Sequence, residues 1–347
     1  MKTGIVVNRM ETEEPSSTTT HWALELMRRG HDVSYIEVGG FTYRIDEMVH
    51  ARSYQPSIGS TPNPETLVNA FRGGSIPADE IAVDELDVLL LRSDPAQEIF
   101  SRPWARLAGV NFGRLAVRHG VLVLNDPDGL DRAVNKMYLQ HFPREIRPEA
   151  IITRDPRILA EFCMREGPVV IKPLTGSGGR NVFLIEKPGD VNFQQMVAAV
   201  LRDGYVLAQE YLPEAQEGDT RVFLMNGEIL RHKGEAAVLR RTRPAGDMRS
   251  NLTVGGRAVS TELTPAIEYV AKQLAPRLLA DGMFLVGADV VRDKVLEINV
   301  FSPGALVAAS QVAGVEFIEA VVDSLEDKVE RFKRNTDRPA NAMIATA

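Results

Sequence analysis

The chain has 347 residues, 44% of them hydrophobic and 25% charged, with a formal net charge of −7. That composition belongs to a globular protein long enough for two or three packed units, and its acidic balance argues against nucleic acid or an anionic membrane as partner for the whole surface. One cysteine, Cys163 beside Phe162, excludes an intramolecular disulfide and a thiolate metal cluster, and reads as a packed thiol. The apolar run 5–7 is too short for a signal peptide and no stretch approaches a membrane span, so a cytoplasmic protein is expected.

An apolar run over 2–7, a helical period over 18–29 closed by Gly30 and a second apolar run over 32–37 predict a β-α-β unit. Its first turn, 8–15, has no glycine and several carboxylates, so it would repel a pyrophosphate. Residues 39–80 lack a clear period and read as irregular surface structure. A strand over 86–91 ends in Arg92, Ser93 and Asp94, polar residues where a strand's carboxyl end commonly faces a cleft. A strand over 121–124 then meets the break at Asn125, Asp126 and Pro127, which bounds an N-terminal α/β domain over 1–124. A helix over 130–142 carries Asn135 and Lys136, and a small subdomain over 125–204 continues through strands at 150–153, 169–171 and 182–185. The C-terminal subdomain, 205–334, opens with a strand over 206–212. The Asn226–Gly227 turn then makes a hairpin, and a strand over 237–241 runs into 242–257, read as a mobile lid. Thr264 caps a helix with Pro265 at its first position; 283–291 and 295–300 pair as a last hairpin, and 315–333 is a closing helix. The small, polar tail 335–347 is expected to be disordered.

Two stretches carry chemistry. Between the strands 169–171 and 182–185 lie Lys172, Gly176, Ser177, Gly178 and Gly179. Walker loops and dinucleotide fingerprints need a helix after the glycines, and the sixth position of the second pattern is here Asn181. Backbone N–H groups without neighbouring Cβ atoms can close on phosphate oxygens with Lys172 beside them, so the stretch reads as a nucleotide flap. Taken alone, it fits a flexible hairpin equally well. In the last hairpin Glu297 and Asn299 share a face, and Asp289 joins them only if it pairs with Glu297, which leaves the three-residue loop Arg292, Asp293 and Lys294. Two carboxylates and an amide oxygen suit Mg²⁺, or Mn²⁺, better than zinc.

The order of glycine flap, linking strand, arginine-bearing strands, lid and acidic hairpin resembles the ATP-grasp ligases, most closely the bacterial glutathione synthetases. The likeness covers most of the chain. It is carried by Asn135-Lys136, Ile171-Lys172-Pro173, Gly176 to Gly179, Ala208 to Pro213, Asp219 and Arg221, Arg249 with Asn251 and Leu252, Gly255 to Arg257, and Glu297 to Val300. The resemblance implies an N-terminal β-α-β domain followed by a two-subdomain ATP-grasp fold, α/β and α+β in class. It implies ATP held by Lys136, Lys172, Gly176, Ser177, Gly178 and Gly179, with Gln209, Glu210, Tyr211 and Leu212 reading adenine and Asp219 near the ribose. The implied metal ligands are Asp289, Glu297 and Asn299. Arg221, Arg241 and Arg249 would offset developing charge and, with Asn251, Phe301, Ser302 and Gly304, hold the substrates. In that family a carboxylate attacks the γ-phosphate and an amine then displaces phosphate from the acyl phosphate, giving glutathione from γ-glutamylcysteine and glycine. The implied partners are small molecules and further copies of the chain, as a dimer or tetramer, with no nucleic acid and no membrane.

One segment departs from the family. Bacterial glutathione synthetases typically continue Asn-Val with Thr-Ser-Pro-Thr, whereas here Phe301, Ser302, Pro303 and Gly304 follow. Two hydroxyls are gone and a ring has appeared next to the metal ligands. An ATP-grasp ligase of the same mechanism with another peptide or amine is therefore the alternative, and a nucleotide-binding protein without turnover a second.

Overall fold

Aliphatic residues uninterrupted by polar ones make Lys2–Val7 (β1) a strand buried on both faces, which suits the interior of a largely parallel sheet. In the computed structural model, which describes residues 1–56, 63–176, 178–187, 189, 191–243, 255–335 and 339–347, β1 lies inside a six-stranded sheet. Thr18–Arg28 (α1) returns the chain to Asp32–Tyr43 (β2), parallel to β1. Val49–Tyr54 (β3) and, after Pro64–Arg72 (α2), Ala78–Ala82 (β4) extend that side antiparallel. Val88–Leu91 (β5), Ala108–Arg118 (α3) and Leu122–Leu124 (β6) build the other side in parallel, for the order β4-β3-β2-β1-β5-β6. Residues 39–80, expected to be irregular, thus supply strands and a helix. Their period is obscured because the ladder slips between Ile36 and Phe41, at Gly39 and Gly40.

The strand order reverses at β1, with β2 on one side and β5 on the other, and ligands bind such sheets in the crevice beyond the carboxyl ends at that point. There the Asn8 amide donates to Glu98 Oε1 (2.8 Å) and to the Asp94 carbonyl (3.0 Å), and accepts from the Asp94 N–H (2.7 Å). These bonds fix the turn that follows β5.

Pro127–Arg132 (α4) is short. The single helix expected over 130–142 is broken because Asn135 is extended and its side chain accepts the Met137 N–H, starting a separate 3₁₀ turn at Lys136–His141. Ala150–Thr153 (β7), Pro156–Glu166 (α5), Val169–Pro173 (β8), Phe183–Ile185 (β9), Phe193–Leu201 (α6) and Val206–Glu210 (β10) then form a four-stranded sheet, β7-β10-β8-β9. It has its own core around Phe162, Ile171 and Val197, in which burial pushes the Cys163 thiol up to about 11. Strand β10, assigned from the sequence to the C-terminal subdomain, belongs to this sheet: it pairs with both β7 and β8.

The third sheet begins with Asp219–Met225 (β11), turned by Asn226 and Gly227 at positive φ into Glu228–Ile229 (β12). Arg231–His232 (β13) and Glu235–Ala236 (β14) make a small hairpin. Val238–Thr242 (β15), Arg257–Val259 (β16), Pro265–Ala280 (α7), Leu285–Val291 (β17) and Lys294–Asn299 (β18) follow, giving the order β16-β15-β11-β17-β18. As expected, the Thr264 hydroxyl caps α7 at the Ile267 N–H. Leu306–Ala313 (α8) and Phe317–Arg334 (α9) close the unit. The tail differs from expectation: Asn341–Thr346 (α10) is helical, and the Asn341 amide pairs with both backbone groups of Val123 on the edge strand β6. An edge with free N–H and C=O groups is what orders it. Among the described residues no helix is long and apolar enough to cross a membrane.

Asn125 joins the first and third sheets. Its amide donates to the Leu285 carbonyl (3.1 Å) and the Val300 carbonyl (2.6 Å) and accepts from the Leu285 N–H (2.9 Å), all buried. Asn125→Leu keeps the volume but leaves three buried backbone groups unpaired. It is expected to cost about 2–4 kcal/mol in denaturant unfolding; a loss below about 0.5 kcal/mol would show that the junction holds without it.

Candidate active site

The β17/β18 hairpin sets the site. Asp289 lies opposite Glu297 and Gly287 opposite Asn299, so the three expected ligands share one face. The turn differs from the three-residue loop expected. Val291 faces Lys294 across the two residues Arg292 and Asp293, with Arg292 at φ 55°, and the ladder slips so that Leu296 has no opposite partner. A two-residue turn fits strand twist better, and the bulge restores the register that puts Asp289 across from Glu297.

Asp289 is buried between two arginines. Arg221, its cross-strand partner on β11, donates through Nε (2.7 Å) and Nη2 (2.8 Å), and Arg241 Nη2 lies 2.7 Å away. Burial pushes the Asp289 pKa up, but the guanidiniums of Arg221 and Arg241 outweigh it and hold the carboxyl below the usual range. Arg241 also bonds Asp219 (2.7 Å), directly opposite it on the paired strand. The remaining Arg221 nitrogen donates to the Gly304 carbonyl (3.2 Å). Both arginines are thus engaged by this cluster.

Glu297 differs from Asp289. It is half-buried, and its ion-pair partner is Lys136 at 3.3 Å. Lys136 also donates to the Gly176 carbonyl (2.6 Å). Lys172, at the end of β8, is buried with its Nζ 3.4 Å from the Leu296 carbonyl. Burial lowers its pKa to about 8, opposed by Glu297 and assisted by Lys136. Gly176, Gly178 and Gly179 take φ of 114°, 71° and 74°, a backbone that residues with Cβ atoms rarely adopt, which explains the glycines of this loop.

Two cavities meet here. One, of about 970 Å³, is walled by Lys172, the three glycines, Gln209, Glu210, Tyr211, Leu212, Asp219 and Arg241. The other, of about 790 Å³, is walled by Asp94, Asn135, Tyr138, Asn299, Phe301 and Ser302. Lys136, Gly176, Leu296 and Glu297 line both. Gly304 lies outside this wall; its carbonyl, with that of Pro303 (3.5 Å from Arg92), anchors the segment, and the positive φ falls on Ala305. Ser177, Arg249, Asn251 and most of the expected lid lie outside the described residues, although Thr242 pairs with Arg257 across its ends. Sequence reading singled out neither the Leu296 carbonyl nor Arg180, whose guanidinium lies 4.0 Å from the Phe100 ring; neither has a local signal.

The donors fit a divalent cation. Asn299 turns its amide nitrogen toward the Gly287 carbonyl and Asp289, both at 3.4 Å, which leaves its oxygen free beside Glu297. Among the described residues no three His, Cys, Asp or Glu side chains gather into a complete cage. A cation here would complete its shell with phosphate oxygens and water, as Mg²⁺ does.

Comparison with known proteins gives the family. The prokaryotic glutathione synthetase N-terminal domain matches residues 1–131, and the prokaryotic glutathione synthetase ATP-grasp domain matches residues 135–314. Glutathione synthetase of Bradyrhizobium diazoefficiens is 32% identical over 88% of this chain and 91% of its own. That of Gloeobacter violaceus is 34% identical over 94% and 96%. Among solved structures, the D-cycloserine synthetase DcsG superposes with a TM-score of 0.63 at 14% identity over 95% of this chain and 99% of its own. The ATP-grasp ligase PsnB, complexed with minimal precursor, Mg and ADP, gives 0.59 at 18% over 94% and 98%. The structural likenesses show the ATP-grasp fold, the sequence matches cover nearly the whole chain, and the chain therefore belongs to the prokaryotic glutathione synthetases, ATP-dependent ligases that form a carbon–nitrogen bond.

Proposed function

We propose that the chain joins γ-glutamylcysteine to glycine, consuming ATP and releasing ADP and phosphate. The observation that carries this reading is the meeting of two cavities at Lys136, Gly176, Leu296 and Glu297. ATP occupies the first, its phosphates on Lys172, Lys136 and the 176–179 loop including Ser177, its adenine along Gln209 to Leu212 and its ribose near Asp219. The γ-glutamylcysteine carboxylate reaches the junction from the second cavity, attacks the γ-phosphate and becomes an acyl phosphate. The glycine amine then attacks the acyl carbon and phosphate leaves. Mg²⁺, or Mn²⁺ in its place, held by Glu297, Asn299 and Asp289, would supply charge neutralisation at the phosphates. Arg221 and Arg241, already engaged by carboxylates, act by fixing Asp289 and the 303–305 backbone; Arg249 and Asn251 are assigned to substrate by the family resemblance. A cytoplasmic dimer or tetramer belongs to the same proposal and fits the buried, unpaired thiol of Cys163.

The acceptor is where the second reading has support. The Phe301 ring on the cavity wall removes hydrogen bonds that would orient glycine and adds apolar surface that favours a larger amine. The deciding experiment measures kcat/KM for glycine, alanine, serine and β-alanine with γ-glutamylcysteine and Mg·ATP, in wild type and Phe301→Thr. Glycine is expected to lead in both. A wild type that prefers another amine by more than about tenfold, roughly 1.4 kcal/mol, removes glutathione as the product and leaves the ligase class.

The two carboxylates should separate on mutation. Glu297→Gln is expected to lose most turnover with an unchanged unfolding midpoint. Asp289→Asn strands two buried guanidiniums and should lose about 3–5 kcal/mol of stability as well. Equal stability in the two variants would refute the division of roles.

Lys172 gives a pH signature. With a folded pKa depressed to about 8 from 10.5, the unfolded chain binds the extra proton between those values, so the ligand-free protein gains stability as pH rises across that window. Phosphate beside the ammonium raises its pKa again. ATP binding at about pH 9 should therefore take up protons and weaken with further rise in pH. Calorimetry in buffers of different ionisation enthalpy measures the uptake, and none at that pH would detach Lys172 from the phosphates.

A further inference from the structure

The glycine loop meets the N-terminal domain through a contact that the reading above does not use. A Cβ built on Gly176 or Gly178 would find nothing within 4 Å, so the loop packs against no neighbour at these positions. Among the described residues, polar and ring contacts of side chains hold it at three points. Lys136 donates to the Gly176 carbonyl (2.6 Å), the Asn181 amide donates to Asp203 Oδ2 (2.7 Å), and the Arg180 guanidinium carbon lies over the Phe100 ring, 4.0 Å from its centre. Lys136 and Asp203 lie in the matched ATP-grasp domain, whereas Phe100 lies in the N-terminal one. The third contact therefore spans the two.

Phe100 is 58% exposed, so core packing does not account for where its ring stands. Its backbone follows a turn made rigid by Asn8 on Asp94 and Glu98, and by Arg102, which grips Glu98 through two nitrogens (2.9 and 2.5 Å). The ring is thus offered from a fixed base. Among the described residues it receives the closest approach of any cation to a ring. Stacking uses the flat face of a guanidinium and leaves the in-plane N–H groups open, and among the described residues those of Arg180 have no acceptor. Arg180 lines the cavity walled by the glycine loop and Gln209 to Leu212, while Phe100 lines neither cavity. Any effect of Phe100 on a ligand there has to pass through Arg180.

We propose that Phe100 is a positioning residue for the nucleotide: its ring docks Arg180, holds the glycine loop against the N-terminal domain before ligand arrives, and leaves the Arg180 N–H groups open to the phosphates. The inference rests on the reading above, in which that cavity takes ATP. A loop already held in place loses less freedom on binding, so the contact strengthens ATP binding. An exposed cation–ring contact is a small interaction, and a severalfold effect is its expected size.

The test reads ATP binding and the docking separately. Phe100→Leu should weaken Mg·ATP binding in calorimetry about three- to fivefold, with KM for γ-glutamylcysteine and glycine and the unfolding midpoint unchanged. Phe100→Trp, whose ring face binds cations best, should keep wild-type affinity. In an Arg180→Met background, Phe100→Leu should have no further effect. Trypsin reads the docking without any ligand: cleavage after Arg180 should be severalfold faster in Phe100→Leu than in wild type or Phe100→Trp. Equal cleavage of wild type and Phe100→Leu would show that the ring does not hold the loop. Equal ATP affinity in those two proteins, or a loss that persists in the Arg180→Met background, overturns the positioning role alone. A wild type that does not bind Mg·ATP overturns the reading above and this inference with it.

Discussion

The burial of Asp289 between Arg221 and Arg241 is the constraint on which the site depends. With Asp219 included, the cluster holds two negative and two positive charges, so strands β11, β15 and β17 carry a neutral set into an interior that would not accept any one of them alone. Because Arg221 faces Asp289 and Arg241 faces Asp219 across neighbouring strands, the cluster exists only in this register. A slip of one residue would turn the charges to the other face of the sheet. The same lock aims Glu297 and Asn299 into the cleft and, through the Gly304 carbonyl, anchors the segment that carries Phe301 and Ser302.

A second group of polar stitches sets the N-terminal sheet against this lock. Asn125 bonds the start of β17 and the residue after β18, while Asn341 closes the β6 edge and also bonds Asp126. Buried Asp281 collects Arg132, Tyr138 and Arg277, and a Cβ at Gly129 would stand 1.9 Å from its carbonyl, so α4 and α7 meet there backbone to backbone. The apolar cores agree: two clusters mix residues of the first and third sheets, whereas the four-stranded sheet with the glycine loop has a core to itself. Relative motion is the default across such a boundary, and it runs along the cavity walled by the glycine loop and Gln209 to Leu212.

What the sequence disclosed follows from range. Glu297 and Asn299 share a face by strand alternation, and Asp289 joins them through a hairpin short enough to argue from turn rules. The bulge at Leu296 escaped because a three-residue loop and a two-residue turn plus bulge bring the same pair together. Arg221 and Arg241 stood out as cations, but their partners depend on the pairing of β11 with β17, strands more than sixty residues apart, and no local pattern states it. Arg92, just after β5, meets Thr19 and Trp22 of α1 through a pairing that is equally long-range. Asn341 reads as a polar residue in a weak tail until the edge strand it completes is known.

Two carboxylates on one face, placed in different surroundings, do different work. Asp289 is buried between two guanidiniums, so besides any ligand role its charge holds the scaffold together. Glu297 is half-exposed and shares its charge with Lys136, which also donates to the Gly176 carbonyl of the glycine loop. Lys136 therefore links the acidic hairpin to that loop in the absence of ligand. In the proposed reading phosphate would compete with Glu297 for Lys136, and Glu297 would then be left with an unbalanced charge on the face it shares with Asn299. Exchange of this single ion pair would ready the glycine loop, the lysine and the oxygen ligands together, which would account for a salt bridge standing where the two cavities meet.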